Sequence, residues 1–199
     1  MAKGIIAAST APGMPNVWPA LIAAGYSVEP FAADGVGGRA LEAGVKAGRF
    51  AGVLDLVTTE LAAELFGTLG GAGQDRLTAA GLKGIPQVIS VGMTSELSPE
   101  QADRLGLEIA QKACAAKGPT AILLPLGGMW VSGGRQPSEG LDPRGANAPR
   151  SPESEAALFQ SLRNWIYGVE VLEFRLRISD AEFSAAAETK LLHLLGEAP

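Results

Sequence analysis

Two carboxylates stand beside glycine-rich or threonine-rich turns in this chain. By type and spacing they are the side chains best suited to acid–base chemistry. Asp34 opens the run Asp34-Gly35-Val36-Gly37-Gly38-Arg39, and Glu60 follows Thr58-Thr59. Each lies where an apolar run gives way to a helical pattern, a position from which a general base could take a proton from a small metabolite. Each also has an ordinary structural use there. Asp initiates turns, and an acid in the first turn of a helix complements its dipole. The glycines suggest a second chemistry. Gly35, Gly37 and Gly38 would leave backbone amides open at a helix start, and Arg39 adds a planar cation. A phosphate or carboxylate could anchor there. The competing reading is a tight turn with Arg39 in a structural ion pair. Gly70-Gly71-Ala72-Gly73 repeats the theme more weakly.

Other small polar residues close the apolar runs: Ser9-Thr10, Thr58, Thr59, Ser90, Gly92, Gly127 and Gly128. Glycine permits close approach of a ligand to the backbone. Residues 35–40 match the G-x-G-x-x-A dinucleotide fingerprint. However, the match follows the second apolar run rather than the first, and Asp55 lies inside the third run rather than at its tip, so NAD is not expected. Asp55 needs a partner if it is buried. Asp75-Arg76 reads as a surface or helix-end ion pair. One His and one Cys cannot supply a zinc site. No metal ligand is assigned, although Mg²⁺ shared between a carboxylate and a nucleotide phosphate would be compatible. His193 reads as structural, and Cys114 as a small buried thiol in an Ala-rich helix.

The elements that must position these residues alternate along the chain. Residues 4–9, 27–32, 51–57, 85–91, 121–126 and 169–174 read as strands. Residues 17–25, 38–48, 59–66, 74–82, 99–117, 151–167 and 180–195 read as helices. Ser98-Pro99 and Ser151-Pro152 are strong helix starts. The strands are continuous apolar runs, as expected of strands covered on both faces. Strict alternation then predicts an open, doubly wound, Rossmann-like parallel sheet of about six strands in a three-layer α/β/α domain. Such a sheet binds ligands outside the C-terminal ends of its strands. Residues 1–199 are expected to form one domain. Residues 127–150, rich in Gly, Pro, Ser and Arg, are expected to be either a mobile lid or partner-contacting loop, or plain disorder.

Composition narrows the function class. The chain has 199 residues and a net charge of −5, with no basic run, so neither nucleic acid nor a membrane is an expected partner. There is no secretory leader pattern at the start and no bilayer-spanning apolar stretch. The expected location is the cytoplasm. Trp18, Trp130 and Trp165 stand out in a chain with few aromatics and are expected to mark interfaces.

Taken together, residues 30–42, 52–61 and 72–77, with Gly118-Pro119, residues 125–128 and residues 178–183, resemble one family. It is that of the tomato mosaic virus resistance protein and its bacterial relatives, uncharacterised protein family 0261. The resemblance is to the C-terminal of the family's two α/β halves. It implies an association with ATP, and a partner protein or homo-oligomer supplying what the N-terminal half supplies elsewhere. The family pattern has a histidine where this chain has Ala32, and another near Arg177. Two functional expectations follow. The first is a protein or subunit that binds a phosphate- or carboxylate-bearing small molecule, with a nucleotide among the candidates. The second is a metabolic enzyme of hydrolase or lyase type with Glu60 or Asp34 as general base.

Overall fold

The computed structural model describes residues 3–15, 17–93, 97–129 and 151–197. Its strands are β1 (Gly4–Thr10), β2 (Tyr26–Ala32), β3 (Gly52–Val57), β4 (Gln87–Gly92), β5 (Thr120–Pro125) and β6 (Glu170–Phe174). Its helices are α1 (Pro19–Ala23), α2 (Val36–Lys46), α3 (Thr59–Phe66), α4 (Ala79–Lys83), α5 (Pro99–Cys114), α6 (Pro152–Trp165) and α7 (Ala181–Leu194). The strands form one parallel sheet in the order β2-β1-β3-β4-β5-β6.

The two-residue period of a strand sends alternate side chains to opposite faces, and the core divides accordingly. Ile6, Ala8, Leu54, Leu56, Val88, Ala121 and Leu123 pack with Leu21 of α1 and with Phe183, Ala187 and Leu191 of α7. On the other face, Ile89, Val91, Ile122 and Leu124 meet residues of α3, α5 and α6. Ala7 and Val53 on that face meet α2 and α4. Helices therefore cover both faces, giving the three-layer α/β/α Rossmann-like fold that the alternation predicts. Trp18 is 8% exposed and belongs to the α1/α7 core. The interface role expected for it is corrected. Trp130 lies outside the described residues, as does nearly all of the 127–150 loop.

The chain leaves β1 toward β2 on one side and returns to β3 on the other, so the sheet's winding reverses between β1 and β3. There the ladder stops early. Paired register runs only from Ile6↔Gly52 to Ala8↔Leu54. Beyond it, the Val57 amide donates to Ser9 Oγ at 3.0 Å. This is the crevice in which open α/β sheets hold ligands.

Most helix ends follow local signals. Ser98 forms a full capping box with Gln101 at the start of α5, and the Ser151 hydroxyl caps α6. The expected helix over 74–82 is shorter, only Ala79–Lys83. Leu77 sits at φ 64°, a left-handed conformation that a helix cannot contain.

Candidate functional site

The glycine turn between β2 and α2 is closed by the chain's own carboxylates. Glu60 Oε1 accepts hydrogen bonds from the amides of Gly35 at 2.6 Å and Gly38 at 3.1 Å. Asp34 Oδ1 accepts from the amides of Val36 at 3.0 Å and Gly37 at 2.8 Å. The first amides of α2, which have no partner within the helix, thus bind intramolecular anions. The glycines are needed for this closeness. A Cβ on Gly38 would stand 2.3 Å from Glu60 Oε2, and one on Gly37 would stand 2.0 Å from Ala32 O. Gly35 adopts φ +87°, and a Cβ on it would meet Gly70 O at 2.8 Å.

Glu60 is 1% exposed. Its second oxygen accepts from Arg76 Nε at 2.7 Å. Arg76 is fully buried and also binds Asp55 in a bidentate fork, with Nη2 to Oδ1 at 2.6 Å. Its Nη1 reaches Glu42 at 3.4 Å, and its Nη2 donates to Val57 O at 3.2 Å. Reading Arg76 as a surface or helix-end ion pair is therefore wrong. Exposed Asp75 pairs separately with Lys46 at 2.5 Å. Asp55 finds the partner that its burial demanded because it shares a strand face with Val53, toward α2 and α4. Burial opposes charge on Arg76, but Asp55 first, then Glu60 and Glu42, hold its pKa above the usual value. Burial raises the Glu42 pKa, against Arg76 and the Ala79 and Leu77 amides, which lower it. This cluster was not legible as a unit. Its members are scattered from position 42 to 76, and although Asp55 stood out as a charge inside an apolar run and Glu60 as an acid after Thr58-Thr59, nothing in the sequence joined them to Arg76 or Glu42.

The other expected site residues divide between structure and cavity. Ser90 is buried and donates to Leu123 O at 2.7 Å across β4 and β5. Gly92 packs so closely that a Cβ would meet Leu56 O at 2.8 Å. Gly127 and Gly128 dock along residues 176–178, through Gly127 N to Leu176 O and Ile178 N to Gly128 O, both 2.9 Å. Thr58 is fully buried at the start of α3 and makes no side-chain cap. Cys114 is half-buried rather than buried, and accepts from the Tyr167 amide at 3.4 Å. His193 is exposed near the end of α7.

Asp34 and Thr59 do come together. They line an open cavity of about 370 Å³ at the C-terminal edge of β2 and β3. Thr59, Ala62, Ala63 and Phe66 form one wall at helical spacing along α3. Gln101 at the start of α5 and Thr68 add polar groups, and Leu69 and Leu97 add apolar ones. Arg39 is exposed and donates to Gly71 O at 2.7 Å. Gly71 adjoins the lining residue Gly70, whereas Arg39 is itself not among the lining residues. Among the described residues, no group of three or more His, Cys, Asp or Glu could hold a metal ion. No helix there is long and apolar enough to cross a membrane.

The segment that builds this arrangement, from β1 through β4, has a family counterpart. Residues 5–97 match the C-terminal domain of uncharacterised protein family UPF0261. A UPF0261 protein of Clostridium tetani is 31% identical over 202 residues, which cover 86% of this chain and 48% of that protein. A UPF0261 protein of Brucella melitensis is 28% identical over 201 residues, covering 85% and 45% respectively. The chain thus spans about half the length of these UPF0261 relatives. Its similarity to the ToMV resistance protein Tm-1 of Solanum lycopersicum is confined to 83 residues. These are 42% identical and cover 42% of this chain and 11% of that protein.

Proposed function

We propose that the chain binds a small phosphate- or carboxylate-bearing molecule at the C-terminal ends of its strands. The carrying observation is the cavity beside the β1/β3 crevice. Its volume of about 370 Å³ suits a metabolite-sized ligand. One wall is largely apolar, Thr59, Thr68 and Gln101 add hydroxyl and amide groups, and Arg39 bonds Gly71 O, next to the lining residue Gly70. The α2 amides do not serve as the anion anchor in this reading, because Glu60 and Asp34 already occupy them. For the same reason the glycine turn does not fit a nucleotide triphosphate or its Mg²⁺ unless those carboxylates move. Nucleotides stay among the probes because the cavity itself offers polar groups.

A thermal-shift screen of phosphates, nucleotides and sugar acids tests the reading. At least one compound should raise the melting temperature, with its affinity reduced about tenfold or more by Arg39→Ala or Thr59→Val, the scale of one lost charge-assisted hydrogen bond. A screen without hits, or hits indifferent to both substitutions, overturns it. A catalytic reading would rest on Asp34, since of the two candidate acids it is the one that lines the cavity.

A further inference from the structure

We infer that the C-terminal edge of the sheet, around the cavity, is a docking face for a second domain of the kind that makes up the remaining half of UPF0261 proteins. That domain would be carried on the same polypeptide or on another. Among the described residues, apolar side chains project into solvent from several loops on this edge. Val17 follows β1 and is 67% exposed, and Val36 follows β2 and is also 67% exposed. Leu69 is 100% exposed. It lies beside Gly70, which packs against Gly35 at the start of α2. Partly buried Leu97 and Phe66 continue the apolar surface into the cavity. Single exposed apolar residues are ordinary, whereas a contiguous set rimmed by polar groups marks an interaction surface. Here exposed Asp34 and Arg39 supply the polar rim.

The occupant follows from the lengths of the relatives. The matched stretch is 48% of the Clostridium tetani protein and 45% of the Brucella melitensis protein, and the family match is to a C-terminal domain. Those proteins therefore carry a comparable length of chain on the N-terminal side of the matched part. An open cavity lined in part by exposed Leu69 and partly buried Leu97 and Phe66, with exposed Val36 two residues from the lining residue Asp34, has the form of one wall of an interdomain cleft, a frequent place for ligand sites. The inference concerns the rim and its partner, and goes beyond the ligand reading without depending on it.

The test uses the full chain at its natural level in its own cells, with a photo-crosslinking side chain at position 69. The same side chain at position 82 is the control. Leu82 is 63% exposed but lies near the end of α4, just before β4 and so at the opposite edge of the sheet. Position 69 should cross-link to a segment similar to the N-terminal half of the Clostridium tetani protein, and position 82 should not. Val36→Asp should cut the position-69 yield at least tenfold. Cross-links from position 69 to a second copy of this chain, to an unrelated protein, or to nothing would overturn the inference. A failed ligand screen would leave the cross-linking result untouched, so the two readings fail separately.

Discussion

Glu60 accepts three hydrogen bonds, from Gly35 N, Gly38 N and Arg76 Nε. Its partners decide how it behaves. An amide in place of the carboxylate keeps one oxygen for the backbone donors but turns an NH₂ group toward the Arg76 guanidinium. Two buried donors then face each other, a defect worth about 2 kcal/mol. Glu60→Gln should therefore lower Tm by roughly 4–8 °C for a domain of this size. Asp34→Asn should change it little, because an exposed Asn side chain still offers an acceptor to the Val36 and Gly37 amides. Differential scanning calorimetry of both variants checks this. An unchanged Tm for Glu60→Gln would return Glu60 to the ligand-contacting role that its position after Thr58-Thr59 suggested. The buried ion cluster sharpens the expectation. Arg76 compensates Asp55, Glu60 and Glu42 together, and removing one member of a buried ionic network costs more than the network contributes net.

At the scale of elements, the tightest helix pairing is that of α5 with α6. Gly106 faces α6 so closely that a Cβ would stand 2.7 Å from Ser161 Cβ and 2.9 Å from Leu158 O. The second contact is with backbone and cannot be relieved by a rotamer change. Gly106→Val should force the helices apart and cost about 1–3 kcal/mol, the usual penalty of overpacking. Urea unfolding should show the loss as a lower midpoint with an unchanged slope. A midpoint equal to the parent's would mean that α6 is free to shift. The same hydrogen bond that reports this closeness, Ser161 Oγ to Asp103 O at 2.7 Å, ties the two helices where no bulky side chain intervenes. Such closeness was invisible in sequence, where Gly106 is one glycine among 26.

For the whole molecule, the buried acids set a pH dependence. Burial raises the Glu42 pKa above its ordinary value of 4.5 despite Arg76 and two amide donors. Burial likewise raises Glu188, which caps α1 through the amides of Ala20 and Leu21. An acid with a raised pKa binds its proton more tightly in the folded than in the unfolded state. Between 4.5 and the folded-state pKa the native protein therefore holds more protons, and stability falls as pH rises through that window. Asp75, Glu100 and Glu197 are shifted down by their partners and act in the opposite sense. Their contribution is lost only as pH falls below the ordinary carboxylate range. Urea midpoints measured upward from pH 4.5 should decline in the parent and decline less in Glu42→Gln. Identical slopes would show that the Arg76 cluster, not burial, governs Glu42.

By itself the sequence determined the periodicities and the local stops. Continuous apolar runs, Ser98 and Ser151 at helix starts, and Gly25 and Gly48 at positive φ near helix ends are legible because each acts on its neighbours. They were enough for a parallel sheet with helices on both faces, and for placing Asp34 and Thr59 at strand ends. Which polar groups meet was decided only by tertiary structure. Glu60 lies 25 residues from Gly35 and 16 from Arg76. Those groups touch only because α2 and α3 both begin at the C-terminal edge of the sheet, on the same face, with the 67–78 segment folded back beside them. A glycine turn that opens a helix reads the same in sequence whether a ligand or a carboxylate of the chain fills it. Here α3 delivers the carboxylate, and desolvation under the packed helices makes that internal anion, with Arg76 behind it, the stable occupant.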